Sequence, residues 1–231
     1  MGQLVDDVVC LRYAPARMTT PDYECATAEG TRRLKRRMIA AGRHASAYRP
    51  LGRTGLTVSR IGFGCYRVAD TVDEHRLAMA EALESGCNLV DTSTNYTDGG
   101  SERLVGRVVR GLDRRDELVV VSKVGYVQGK NLEAIRERAR TDDGMPDVVR
   151  YMDGCWHCIH PDYIGEQLDL TLERTGLERI DVYLLHNPEY FLADAQRRSP
   201  DLPLADRRAD YYDRIERAFG KLEEEVSAGR I

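Results

Sequence analysis

Leu118-Val-Val-Val-Ser-Lys123 is an apolar run, rich in β-branched residues, that closes on a lysine. It shows no alternation of polar and apolar positions. That is the pattern of a strand covered on both faces, which is where a parallel sheet places its strands. Upstream, Asn88-Leu-Val-Asp91 reads as a second strand of this kind, and Ile61-Gly-Phe-Gly-Cys65 as a short buried strand ending in glycine. Downstream, Ile180-Asp-Val-Tyr-Leu-Leu-His186 reads as a fourth.

Helical periodicity fills the gaps. Thr71-Val-Asp-Glu74 has the form of a capping box, opening a helix with Val72, Met79, Ala82 and Leu83 on one face and Gly86 at its end. Ser101-Glu102 begins a helix carrying Leu104, Val105, Val108 and Val109, closed by Gly111. Pro161-Asp162 leads into a helix with Ile164, Leu168, Leu172 and Thr175 in register, ended by Gly176. Asp206 to Ala228 reads as a last helix with Tyr212, Ile215, Phe219, Leu222 and Val226 inward, and Gly229 as its terminator. Strand alternates with helix four times, the βαβ grammar of a parallel sheet with helices outside. No Gly-x-Gly-x-x-Gly follows a strand, so the doubly wound dinucleotide fold lacks its fingerprint. The expected fold is therefore α/β, a partial (β/α)8 TIM barrel. Such barrels need about 250 residues for eight units, and residues 48–231 deliver about four before the chain stops short of a fifth strand.

The remaining segments are less regular. Residues 1–47 have little periodicity, and between Thr31 and Pro50 there are seven Lys/Arg and no Asp/Glu. They read as a poorly ordered extension, with a short basic helix over Thr31–Ala41 as its one candidate element. Arg32, Arg33, Lys35, Arg36 and Arg37 form a weak basic patch. Leu51 to Val58 suggests a hairpin around a glycine turn. Gly125 to His160 reads as irregular apart from one helix near Leu132–Arg140. Two domains are expected: the extension at 1–47 and the barrel part at 48–231.

Composition sets limits on function. The chain has 231 residues, 31% of them charged and 42% hydrophobic, with a net charge of −4. These are values of an ordinary globular protein, and they give no pointer to nucleic acid. No run reaches the roughly 18 apolar residues of a membrane helix. Asp6, Asp7 and Arg12 interrupt any secretory signal. The six cysteines are too few for a disulfide scaffold in a chain this long, so reduced thiols and a cytoplasmic location are expected.

The chemistry collects at one end of the strands. Asp91 ends the second, Lys123 the third and His186 the fourth, and Tyr96 follows just after the second. In β/α barrels the carboxyl ends of the strands build the active face. A lysine ammonium beside a tyrosine favours phenolate, so that the phenol can give up a proton near neutrality. A carboxylate keeps the ammonium charged in a dry pocket. A histidine can hold a substrate oxygen.

Asp91-Thr-Ser-Thr-Asn-Tyr96, followed by Gly100-Ser-Glu102, resembles the signature of the aldo-keto reductase family around its catalytic Asp and Tyr. Leu51-Gly-Arg-Thr-Gly-Leu56-Thr-Val-Ser59 is similar to the family's amino-terminal hairpin. Val121-Ser-Lys123 and Ile180-Asp-Val-Tyr-Leu-Leu-His186-Asn-Pro188 resemble its catalytic lysine and histidine strands. The resemblance implies Tyr96 as general acid, supported by Lys123, with Asp91 as partner of the lysine and His186 as a donor that orients the substrate. It implies NADPH, or NADH, delivering hydride to an aldehyde or ketone, or the reverse reaction on an alcohol or sugar. It places Gly64, Cys65 and Asp91 against the cofactor, and Tyr66 and Asn187 against the substrate. One local departure stands out: where the family usually has Gly after the Tyr, this chain has Thr97-Asp-Gly99-Gly100.

The resemblance also implies that the truncated part of the barrel holds most of the cofactor grip. A half barrel with open edges is expected to pair with a copy of itself or a complementary carboxyl-terminal half, to be a poorly folding fragment of a longer gene, or to persist as a catalytically inactive remnant serving as a binding or regulatory module. Cys155-Trp-His-Cys158 with His160 has half the ligands of a zinc site. It reads as a reduced pair near the substrate loop, and no metal is expected.

Overall fold

The computed structural model describes residues 24–140 and 144–231. Cys10 and the residues that argue against a signal, Asp6, Asp7 and Arg12, lie outside the described part.

Helix α1 (Ala28–Ala40) comes first, capped by the Thr27 side chain, which accepts from the Gly30 N–H. A hairpin of β1 (Tyr48–Pro50) and β2 (Thr57–Ser59) follows. Then come β3 (Phe63–Gly64), α2 (Asp73–Glu84), β4 (Leu89–Asp91), α3 (Gly100–Gly111) and β5 (Val119–Val124). Beyond them lie β6 (Tyr126–Val127), α4 (Gly129–Arg138), β7 (Val149–Met152), β8 (Cys155–His157), α5 (Pro161–Thr175) and β9 (Val182–Leu185). Two helices close the chain, α6 (Tyr190–Arg198) and α7 (Leu204–Ser227).

Four strands form one parallel sheet in the order β3-β4-β5-β9, with Asp91 opposite Val121 and Lys123 opposite Leu184. Successive strand residues point to opposite faces, so β5 has two jobs. Val120 and Val124 join a large core under the helices with Leu104, Val108, Ile164 and Leu168. Val119 and Val121 face the other way, onto Val58 of the hairpin, with Leu51, Leu56, Leu89 and Val182 around them. Lys123 shares the parity of this second face.

Helices α3 and α5 meet without a spacer. A Cβ on Gly106 would lie 1.8 Å from the Thr175 carbonyl oxygen, so only glycine allows the approach. Beside this contact Glu102 is fully buried and fully partnered. It accepts from Ser122 Oγ at 2.8 Å, Thr171 Oγ1 at 2.9 Å and Arg174 Nη1 at 2.9 Å.

Several expectations are corrected. The capping box does not form: α2 has Val72 at its N-cap with no side-chain cap, and Asp73 binds Arg76 at 2.7 Å instead. The first strand is only Phe63–Gly64, and Ile61 is 79% exposed. The hairpin's strands flank the Leu51–Leu56 stretch, which is itself the loop. The segment read as irregular holds a three-stranded antiparallel sheet, β6-β8-β7. The long loop after His186 contains α6.

The inward face of α7 is also different. Tyr212, Phe219 and Val226 are exposed, whereas Arg214, Ala218, Leu222 and Glu225 are buried. The buried charges are paired, Arg214 with Asp147 at 3.2 Å and Glu225 with Lys221 at 2.9 Å. Of the expected stripe Leu222 is buried and Ile215 packs against the core, and the long polar side chains of Arg214 and Glu225 share that face with them.

Residues 24–47 are not a loose extension. Arg33 reaches Asp116 at 2.8 Å and Glu117 at 3.1 Å, and Arg37 reaches Glu117 at 2.7 Å. Burial on its own would raise the Glu117 carboxyl, but Arg37 and Arg33 hold it below its usual range. Gly30 lies against Asp116, whose carbonyl oxygen would sit 2.3 Å from an added Cβ. In the basic run that looked unpaired in sequence, Arg33 and Arg37 find their acids eighty or more residues away, while Arg32 and Arg36 pair with Glu29 on the same helix.

Candidate active site

The sheet brings the predicted residues together. Asp91 is the last residue of β4 and Lys123 lies one strand over in β5. Lys123 Nζ donates to Asp91 Oδ1 at 2.5 Å, to the Thr92 carbonyl at 2.7 Å and to Tyr96 Oη at 3.3 Å. All three ammonium hydrogens are thereby used. The same nitrogen lies 4.8 Å from the Tyr96 ring centroid.

The insertion after Tyr96 is absorbed by a left-handed turn. Thr97, Asp98 and Gly99 have φ of 47°, 53° and 80°. That region is costly for a β-branched threonine. It is held by Thr97 Oγ1, which donates to the Val68 carbonyl at 2.7 Å, and by Asp98 Oδ1, which accepts from the Lys130 N–H at 3.2 Å.

His186 follows β9 and stands edge-on to Tyr96 with centroids 6.0 Å apart. Burial, then the Lys123 charge, pushes its pKa down to about 4, so the imidazole is neutral at pH 7. Its Nδ1 lies 3.1 Å from Ser93 Oγ. Its backbone carbonyl accepts from His157 Nε2 at 2.6 Å. His157 is itself buried and held to about 4 mainly by desolvation. Tyr126 packs against the His186 ring at 4.6 Å and bonds Tyr190 Oη at 2.8 Å and Asn187 Oδ1 at 3.1 Å. A cavity of about 460 Å3 opens here, with Tyr66, Arg67, Asn95, Tyr96, Tyr126 and His186 in its wall.

The other predicted residues divide. Tyr66 is 65% exposed and stands edge-on to Tyr96 at 5.3 Å. Asn187 is tied to Tyr126 and Glu189 at the rim. Gly64 faces open space, with no atom within 4 Å of an added Cβ. Cys65 does not reach the cavity: its side chain is fully buried in the main core, which drives the thiol up to about 12. Cys155 and Cys158 are also buried with raised thiols, so both stay protonated. Among the described residues no cluster of three or more His, Cys, Asp or Glu could hold a metal.

Sequence reasoning missed Arg67, Ser93, Asn95, Tyr126 and His157. Only Ser93 and Asn95 carried a signal, as polar residues between two site residues. A larger cavity, about 850 Å3, lies near the amino ends of β5 and β9. Its arginines face as many carboxylates, among them the Arg33, Arg37, Asp116 and Glu117 cluster, so it has no net charge. In barrels that end serves stability.

The sequence profile of the aldo/keto reductase family matches residues 60–231. The chain belongs to the aldo/keto reductase family. An aldo-keto reductase of Schizosaccharomyces pombe, named for NADP(+), is 28% identical over 180 residues, covering 76% of this chain and 41% of that protein. The NADH-specific methylglyoxal reductase of Escherichia coli is 30% identical over 148 residues, covering 59% of this chain and 40% of that protein. The chain thus spans about two fifths of the length of these curated relatives. Among solved structures, the glycerol dehydrogenase of Gluconobacter oxydans aligns with a TM-score of 0.51 at 18% identity, covering 81% of this chain and 47% of that one. A thermostable aldo-keto reductase aligns at 0.50 and 22%, covering 80% and 51%. At such identities the likeness shows the fold, an α/β arrangement of the TIM-barrel type. Among the described residues no helix is long and apolar enough to cross a membrane.

Proposed function

We propose that the cavity at Tyr96 reduces an aldehyde or ketone, or oxidises the matching alcohol, with a nicotinamide dinucleotide, NADPH or NADH. The observation that carries this reading is the Lys123 ammonium bonded at once to Asp91, the Thr92 carbonyl and Tyr96 Oη. The cofactor supplies the hydride. Tyr96 donates its hydroxyl proton to the carbonyl oxygen, and the adjacent ammonium stabilises the phenolate left behind. Asp91 holds that ammonium in place against the phenol, acting on Tyr96 through Lys123. Neutral His186 orients the carbonyl oxygen when Ser93 donates to Nδ1, because the imidazole hydrogen then sits on Nε2. The open space over Gly64 and the exposed wall by Tyr66 accept a flat nicotinamide ring, so the residues present fit that end of the cofactor.

Four strands of the barrel lie in this chain, and we infer that a complementary unit completes it, either the remaining strands or a second copy. Among the described residues β3 and β9 are free edges, which invite pairing. Leu184 of β9 is 42% exposed, and Tyr212, Phe219 and Val226 form an apolar stripe on α7 with no cover among the described residues. Residues 48–231 make up the barrel unit in this reading, and residues 24–47 clasp its base.

The test is NADPH-dependent reduction of a simple aldehyde by the chain and by its assembly with the complementary unit. Tyr96→Phe is expected to lower kcat by at least about a hundredfold, the usual worth of a general acid. Unchanged turnover removes Tyr96 from the role. A second reading, a reductase-like binding module without turnover, is favoured by the 42% exposure of the Asp91 side chain, since a charge pair open to water is a poor catalyst. Tight NADPH binding by the folded assembly, with no aldehyde reduction, selects that reading.

A further inference from the structure

We propose that the cavity takes a carbonyl compound that also bears a carboxylate, and that Arg67 anchors this second group. The inference rests on the reductase reading of the same cavity. Arg67 follows β3 and lines the cavity with Tyr96 and His186. Its guanidinium lies 5.7 Å over the Tyr66 ring, which itself stands 5.3 Å from the Tyr96 ring. The cation is therefore one aromatic ring away from the acid.

Other arginines on this side of the fold are matched: Arg76 with Asp73 and Arg103 with Asp70. Arg67 has no acidic partner among the described residues, and the cavity wall contains no carboxylate. Asp91 is taken by Lys123, and Glu189, beyond the rim, accepts from the Asn187 amide. The neutral polar groups are committed as well: Asn95 Nδ2 donates to Gln128 Oε1 at 2.9 Å and Thr97 Oγ1 to the Val68 carbonyl. The unmatched charge in the wall is thus a single guanidinium, whose planar fork suits a carboxylate in a two-bond grip. A substrate with its carbonyl oxygen at Tyr96 and a carboxylate about one ring away satisfies both ends.

The test uses the full 231-residue chain, with 4-formylbenzoate as probe and its neutral isostere 4-formylbenzamide as reference. Affinity is read by calorimetry near neutral pH, and turnover by NADPH oxidation. The carboxylate is expected to bind about tenfold or more tightly than the amide, as charge-assisted hydrogen bonds do over neutral ones. R67M removes that preference, and R67K recovers part of it, keeping the charge but not the fork. Absent or equal binding of the two probes, or a preference that survives R67M, overturns the proposal. So does an R67M defect confined to NADPH affinity, which assigns the arginine to a cofactor phosphate. Arg67-dependent preference without any reduction, by the chain or by its assembly with the complementary unit, upholds the anchor and sinks the reductase reading. Reduction of both probes with equal kcat/KM and equal affinity does the reverse.

Discussion

At Ser93 one hydroxyl hydrogen has three acceptors: Asn95 Oδ1 at 2.7 Å, His186 Nδ1 at 3.1 Å and the Lys123 carbonyl at 3.4 Å. Its choice fixes the imidazole tautomer, so a donor at Nε2 depends on a residue outside the signature tetrad. The two neutral histidines also shape stability. His157 and His186 are each held to about 4 in the fold, against about 6.5 in an unfolded chain. Between those values the unfolded state binds more protons, so stability rises with pH across the window and is lost as pH falls through it. The slope approaches about 1.4 kcal/mol per pH unit for each histidine, and less for the half-open His186. Urea unfolding between about pH 5 and 6.5, above most carboxylates, is the check, and a flat profile there contradicts the burial. At this scale Asp91, Lys123 and His186 were legible, because a polar residue closing an apolar strand must go somewhere specific. Arg67 lies in the turn after β3 and Tyr126 opens the two-residue strand β6, places where no period marks them.

Helices were legible where apolar spacing and a terminal glycine agreed, as in α5, which runs from Pro161 to a left-handed Gly176 at φ 61°. They were not where partners lie far along the chain. Arg33 and Arg37 of α1 make sense only beside Asp116 and Glu117, and α7 turns inward on Arg214 because Asp147 meets it. The α3–α5 contact permits a sharp comparison. Gly106→Ala drives a Cβ into the Thr175 backbone, so it is expected to cost at least the 1–3 kcal/mol of about one overpacked methyl. That corresponds to a fall in Tm of roughly 2 °C or more for a chain of this size. Gly111→Ala, in the same helix with nothing within 4 Å of the new atom, is expected to leave Tm unchanged or slightly raised. Equal effects of the two changes would show that the helices do not pack as closely as described.

Among the described residues, the molecule presents a sheet with two free edges and a helix with apolar residues facing outward. Four β/α units were legible from alternation alone, but the apolar stripe of α7 was not, since periodicity cannot tell an inner face from an uncovered one. If that stripe is covered in the assembly, the chain sediments at micromolar concentration as an oligomer or with its complementary unit. Tyr212→Glu combined with Phe219→Glu then returns it to a monomer with unchanged circular dichroism. A monomer before and after substitution leaves the stripe without a partner. Lys123 offers a way to follow the same assembly chemically. It is one of four lysines, with Lys35, Lys130 and Lys221 elsewhere on the fold. Its side chain is 12% exposed and its three hydrogens are spent on Asp91, Thr92 and Tyr96. An acylating reagent needs a free amine lone pair, so it marks the other lysines first and reaches Lys123 only when the strands part. One covalent tag, located by mass spectrometry, then records whether the mouth of the sheet was shut when the reagent arrived.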